Sequence, residues 1–329
     1  MEIGNYPTFS WSISRANKFE FCNRQYYYHY YGSWKGWEDQ ASERTKLIYI
    51  LKNRKSLPAW KGSLIHSGIS KFLSRQIHIS DLIEQIKQRA YYEFDQSAKQ
   101  EYLNPGMAKR AFGLIEHYYG EITSEKTLNE TILDVETCLT QFSKTPFRNL
   151  IQDAKRCNFR VFIEPSDDRN LDLGKFLDNS IADCEIYAKP DFVFERPRNR
   201  LFVLDWKTGK PNIEFNTSEV STQLSFYSMW VANKGLFDTN EKDKIFAYEY
   251  YLPSCTKIGA EVKPEFIDAA IKYCKDSIER MRAPLSDKIN NWGEEKAFEA
   301  IPSINRCSYC NFRAVCEEYK KMIESADAF

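Results

Sequence analysis

No apolar stretch of the 329-residue sequence approaches the ~20 residues that a membrane-spanning helix needs, which excludes a helical membrane protein. The first residues, Met-Glu-Ile-Gly-Asn-Tyr-Pro-Thr, lack the basic-then-apolar order of a secretory leader, so a cytoplasmic setting is expected. Internal repeats and low-complexity segments are absent. So is any G-x-x-x-x-G-K-[ST] phosphate loop, which excludes an ATP-driven motor within this sequence. Charge of one sign is lacking too: 46 Lys+Arg balance 46 Asp+Glu, which argues against a chain that adheres to polyanions over its whole surface. Nine cysteines in a long chain of expected reducing surroundings do not read as a disulfide framework, and most are expected in the core.

What is present centres on residues 186–210, IYAKPDFVFERPRNRLFVLDWKTGK. Phe192 to Phe194 and Leu201 to Leu204 flank a charged turn with one proline, the pattern of a β-hairpin. Asp191 begins the first arm and Asp205 closes the second. Alternation along a strand turns Asp205 and Lys207 to the same face, and pairing of the arms brings Asp191 beside them. Two adjacent carboxylates call for a cation, and oxygen ligands suit Mg²⁺ or Mn²⁺. An ion there activates water, with Lys207 orienting it or neutralising charge on the reacting group.

Two further constellations carry chemistry. Near the C-terminus, Cys307, Cys310 and Cys316 form C-x₂-C-x₅-C, three soft ligands suited to zinc or an iron–sulfur cluster. A fourth ligand is required, and no histidine follows His117 to complete a local zinc site. Between Arg44 and Lys61 lie six basic residues and no acid: Arg44, Lys46, Lys52, Arg54, Lys55 and Lys61, with Tyr49 and Trp60 interspersed. This run reads either as a phosphate-tracking patch with stacking aromatics or as a solvated helix face.

The hairpin ending Asp205-Trp206-Lys207-Thr208-Gly209 resembles the active-site hairpin of the PD-(D/E)xK nuclease superfamily, in particular its RecB-like branch. Other segments extend the resemblance. Ser12-Ile13-Ser14-Arg15 followed by Cys22 and Tyr26 is similar to that branch's opening motif, with Asn23 where proline is usual. Gly62 to His66 matches its G-x-x-x-H, and Gln223 to Tyr227 its Q-x-x-x-Y. Ala188 departs from the glycine often found three residues before the aspartate.

The resemblance implies an α/β fold: a restriction-endonuclease-like core with a mixed central sheet, flanking helices and a helical insertion. It implies one nuclease domain over residues 1–329, with the insertion at about 67–130, the sheet core at 131–253 and a cysteine segment at 300–329 joined to Cys22. It implies that His66, Asp191, Asp205 and the Trp206 carbonyl hold one or two Mg²⁺ or Mn²⁺ ions. A strand glutamate, Glu164 in preference to Glu136, adds to them, and Gln223 and Tyr227 support the catalytic residues or touch substrate. AddB-type and CRISPR-adaptation relatives hold a [4Fe–4S] cluster on one N-terminal and three C-terminal cysteines, which nominates Cys22 with Cys307, Cys310 and Cys316; zinc is the alternative. The function implied is a DNA exonuclease of repair, recombination, CRISPR adaptation or phage defence, with a helicase or other subunit in trans. A DNA-gripping subunit that does not cut and an iron–sulfur redox or regulatory protein are the competing readings.

Local patterns complete the expectations. A helix follows Ser12 or Ser14 as N-cap, another starts near Gly62, and helical pattern runs from Ser80 to about Thr123 with a break at Asn104-Pro105-Gly106. Strands are expected at Ile132 to Phe142 and Asn158 to Glu164 with a helix between them, and a loop at Pro165 to Asn179. A helix at Glu219 to Asn233, a strand at Ile245 to Leu252 and a helix at Pro264 to Met281 follow.

Overall fold

The computed structural model describes residues 6–104, 106–122, 124–164, 174–211, 219–233 and 244–326. The chain opens with β1 (Ser10–Trp11), then α1 (Ile13–Phe21), whose N-cap Ser12 accepts from the Arg15 N–H while Ala16 and Phe19 turn inward. Helix α2 (Asn23–Tyr27) runs on into a π-helical turn, Tyr28–Gly32. A helical layer follows: α3 (Glu43–Lys52), α4 (Leu57–Ser74), α5 (Ile79–Ala98), α6 (Ile115–Tyr118), α7 (Lys126–Ser143) and α8 (Phe147–Arg156). Ser56 caps α4, whose Leu64, Ile65, Ile69, Phe72 and Leu73 are buried at helical spacing. At Gly68 a Cβ would stand 2.7 Å from Leu139 on α7, so glycine here lets the two helices approach closely.

The strand expected at Ile132 to Phe142 is part of helix α7. Its β-branched Thr131, Ile132, Val135, Thr137 and Thr140 favour extended chain, but Leu128, Ile132, Val135, Leu139 and Phe142 are the buried positions, spaced by three and four. Packing of that stripe on α4 and α5 overrides residue propensity, and the helical layer runs on to Arg156 before the sheet begins. The break expected at 104–106 follows the end of α5, although Pro105 itself lies outside the described residues.

The remaining elements are β2 (Val161–Ile163), β3 (Lys175–Phe176), β4 (Glu185–Tyr187), β5 (Phe192–Arg196), β6 (Arg200–Lys207), α9 (Thr222–Asn233), β7 (Lys244–Tyr251), β8 (Thr256–Glu261), α10 (Pro264–Arg282), α11 (Ile304–Cys307) and α12 (Glu317–Ala326). Of the loop expected at Pro165 to Asn179, residues 165–173 lie outside the description, and Lys175–Phe176 form β3. The main sheet has the order β2-β5-β6-β7-β8, mixed because β6 and β7 are parallel and the other neighbours antiparallel. A small sheet, β1-β4-β3, stands beside it.

The expected hairpin forms: Phe192 pairs with Leu204 and Arg196 with Arg200, across a turn in which Arg198 and Asn199 adopt φ of 65° and 52°. Phe194, Phe202 and Phe246 stack across three strands at 5.0 and 5.2 Å, which pins the register. One face of the sheet, with Phe192, Leu204 and Trp206, packs on the α4–α8 layer; the other, with Val193, Leu201 and Val203, packs with α1, α9 and α10. Alternation therefore turns Asp205 and Lys207 toward the α9 side. Among the described residues no helix is long and apolar enough to cross a membrane.

Candidate active site

The ends of β2 and β6 and the residue preceding β5 meet helix α4 at an open cleft of ≈ 590 Å³. Asp191 is the hub. Its Oδ1 lies 3.3 Å from His66 Nδ1, and its Oδ2 accepts the Trp206 N–H at 2.6 Å, which ties the hub to the opposite hairpin arm. Glu164 stands one residue past β2, its N–H bonded to the Asp191 carbonyl at 2.8 Å and its carbonyl accepting from Ser70 Oγ at 2.6 Å. Donor atoms of His66, Glu164 and Asp191 all lie within 4.8 Å of one another. Lys189 pairs with Glu164 at 2.7 Å.

The second half of the cleft is the Asp205–Lys207 pair. Lys207 Nζ lies 2.5 Å from Asp205 Oδ2, 2.9 Å from Gln223 Oε1 and 3.9 Å from Glu249. Gln223 donates in turn to the Tyr227 hydroxyl at 2.6 Å, so the Q-x-x-x-Y residues on α9 form a relay that fixes the ammonium. Glu249 stands across from Asp205 in the β6–β7 register and is itself held by Ser221 and Tyr251.

Crowding these groups into a partly dry cleft perturbs their titration. Burial opposes the charged form of His66, but Asp191, Asp205 and Glu164 outweigh it and push the imidazole up to about 9. Burial and a hydrogen bond shared with Asp191 push Glu164 up to about 8 despite Lys189. Asp205 rises to about 6 through burial and the Asp191 charge. Burial also works against ionised Asp191, yet His66, Glu164 and the Trp206 N–H hold it below the usual carboxylate range. The cluster carries more carboxylate than its resident cations neutralise comfortably, and its oxygen and imidazole donors suit a hard divalent ion.

The sequence candidates separate clearly. Glu164 joins His66 and Asp191, while Asp205 faces Lys207. Glu136 is on the surface of α7, paired with Lys87 at 2.6 Å, and does not approach the cleft. Lys189 and Glu249 were missed: nothing in their local sequence marks them, and only strand pairing brings them in. Ser12, Ser14 and Asn17, at the start of α1, line the same cleft.

Cys22, Cys307, Cys310 and Cys316 line one small cavity together with Arg24, Arg306 and Arg313. Cys22 sits at the junction of α1 and α2, and Cys307 ends α11. Burial, with the other three thiols nearby, pushes Cys310 up to about 12. Charged groups also join the two chain ends here: Arg24 donates to the Phe298 carbonyl at 2.9 Å and pairs with Glu318 at 2.9 Å and Glu295 at 3.3 Å, while Arg44 reaches Glu295 at 2.7 Å.

The basic run does not form one phosphate-tracking face. Arg54 is buried, donating to the carbonyls of Ile50, Ala111 and Ala108. Arg44 is engaged with Glu295, Lys46 with Glu43 at 3.0 Å and Lys61 with Asp134 at 2.6 Å. The run spans α3, a bend and the start of α4, so its side chains diverge. Among the described residues no carboxylate pairs with Lys52 or Lys55.

A family model described as the PD-(D/E)XK nuclease superfamily matches residues 10–317. No curated protein matches the chain. With the hairpin, its two aspartates and its lysine all inside the matched span, the chain belongs to the PD-(D/E)XK nuclease superfamily.

Proposed function

We propose that the chain is a Mg²⁺- or Mn²⁺-dependent deoxyribonuclease of the RecB-like branch, an exonuclease working on DNA ends in repair, recombination, CRISPR adaptation or phage defence. The observation that carries this reading is the convergence of His66, Glu164 and Asp191 beside the Asp205–Lys207 pair in one cleft. These residues, with the Trp206 carbonyl, would hold the divalent ion. When bound, such an ion supplies Lewis-acid stabilisation of charge building on the scissile phosphate and promotes attack by water.

The protein's own groups do the rest. The Lys207 ammonium, fixed between Asp205 and Gln223, orients the attacking water and offsets charge on the phosphoryl oxygens. His66 and the Trp206 N–H hold Asp191 in place, and the Gln223–Tyr227 relay keeps Lys207 from swinging into solvent. A helicase or similar subunit in trans would supply the enzyme with unwound DNA.

We read the cysteine cavity as the seat of a [4Fe–4S] cluster held by Cys22, Cys307, Cys310 and Cys316. Three soft thiolates at C-x₂-C-x₅-C spacing and a fourth from the other end of the chain, all lining one cavity, support this reading, with zinc as the alternative.

The test is incubation of anaerobically purified protein with end-labelled single- and double-stranded DNA in Mg²⁺, Mn²⁺ or EDTA, beside Asp205→Asn. Cleavage in either metal, stopped by EDTA and lost in the variant, is expected. Cutting that the variant preserves would remove the proposal.

A further inference from the structure

Lys207 has a carboxylate neighbour that no motif of the sequence marks. Glu249 lies on β7 directly across from Asp205 in the parallel β6–β7 register, and partners in register turn their side chains to the same face of a sheet. Two carboxylates so placed disfavour each other. The Lys207 ammonium offsets this, 2.5 Å from Asp205 Oδ2 and 3.9 Å from Glu249 Oε1, the outer reach of an ion pair. Glu249 is held firmly at that distance. Only 17% of its side chain is exposed, Tyr251 donates to its Oε2 at 2.8 Å, and Ser221 donates to its Oε1 at 3.2 Å. The Ser221 hydroxyl also accepts the Leu224 N–H at 3.4 Å, so the anchor of Glu249 stands at the start of α9, the helix that brings Gln223 to within 2.9 Å of Lys207. One carboxylate thus ties β7, the ammonium and the start of α9 into a single frame.

The frame matters because Asp205 has two claims on it. As a ligand of the divalent ion it gives lone pairs away from Lys207, and a doubly charged ion nearby repels the ammonium as well. Gln223, a neutral acceptor, does not make good that loss. Glu249 does: it lies outside the His66–Glu164–Asp191 donor group and does not line the cleft, whereas Asp205, Lys207 and Gln223 do. It therefore acts through Lys207 and not by touching the substrate or the ion. We propose that Glu249 is a positioning residue for the reaction, the second seat of the Lys207 ammonium, which keeps that group facing the cleft once Asp205 is engaged by the divalent ion. This assignment rests on the nuclease reading above.

Two measurements on Glu249→Gln, which keeps the side chain's shape and removes the carboxylate, test it. The first reads kcat and KM for end-labelled single-stranded DNA at saturating Mn²⁺. A fall in kcat of about 10- to 100-fold is expected, the range for a residue that orients another, with KM within about twofold. In the Lys207→Ala background the same substitution should cost less than about twofold more, because the group it positions is gone. The second reads reductive methylation of Lys207 by peptide mass spectrometry, without DNA. In EDTA the parent and the variant should be modified alike, since Asp205 holds the ammonium in both; with Mg²⁺ the variant should be modified several-fold faster. Parental kcat, an equal loss of rate in the Lys207→Ala background, or methylation that Mg²⁺ speeds no more in the variant than in the parent would each overturn the assignment. So would a lowered thermal midpoint with a rate that merely tracks the folded fraction, which makes Glu249 structural, or the loss of Mn²⁺ binding, which makes it a ligand. A parent that binds Mg²⁺ or Mn²⁺ but cuts no DNA retires the nuclease reading, and the methylation rates then decide Glu249 alone. A parent that cuts, beside a variant unchanged in rate and methylation, removes Glu249 and leaves the nuclease standing.

Discussion

The two chemical centres of this molecule lie at the two ends of α1 and are built in opposite ways. At its N-terminal end the cleft gathers charged, hydrogen-bonded oxygen and nitrogen donors, fixed by strand register and open to solvent. At its C-terminal end a smaller cavity gathers four thiols from the two ends of the chain, fixed by helix junctions and by the Arg24 network. The first centre is preorganised by the sheet and strained electrostatically; in the second, burial keeps the Cys310 and Cys316 thiols neutral, and its assembly depends on ends far apart in sequence. Loss of a residue from the first should therefore cost reaction rate, and loss from the second should cost stability.

Lys207→Ala gives the largest expected effect, a fall of about 10³-fold in DNA cleavage with a nearly unchanged thermal midpoint, because the side chain it removes acts on the transition state. A large loss of stability would show that the ammonium is a structural counter-ion to Asp205. Arg24→Met should cost about 3 kcal/mol in denaturant unfolding, since it leaves Glu295 and Glu318 without their buried partner. Cys310→Ser should bleach visible absorbance and lower stability by about 2–4 kcal/mol, the range for loss of a long-loop cross-link. Any cleavage it retains should scale with the folded fraction; a rate defect in folded protein would erase the distinction between the centres.

Protons sharpen the comparison further. In the metal-free cleft His66, Glu164 and Asp205 hold protons up to about 9, about 8 and about 6, and a divalent ion must displace them. Metal affinity should thus weaken as pH falls from 8 toward 6, by up to about tenfold per unit for each proton displaced, as read by calorimetric titration. A flat profile would mean that these groups do not ligate.

How much of this was legible in the sequence follows the same division. The hairpin was, because alternation and a turn fix which side chains share a face. His66, Gln223 and Cys22 were legible only through motif resemblance, since helices from distant segments bring them in. Helix α7 was misread because its threonines and branched residues speak for a strand, and only its buried stripe against α4 and α5 decides otherwise. Glu249 and Lys189 were silent because sheet register places them. The basic run misled in a related way: neighbours in sequence such as Arg54 and Lys55 point inward and outward.

The central claim is that one divalent ion binds among His66, Glu164 and Asp191. Electron paramagnetic resonance of Mn²⁺ titrated into metal-stripped protein, beside Asp191→Asn, tests it most directly. The account predicts a tight Mn²⁺ site in the parent that the variant loses while remaining folded. Equal binding by the two proteins, or none by the parent, would contradict it.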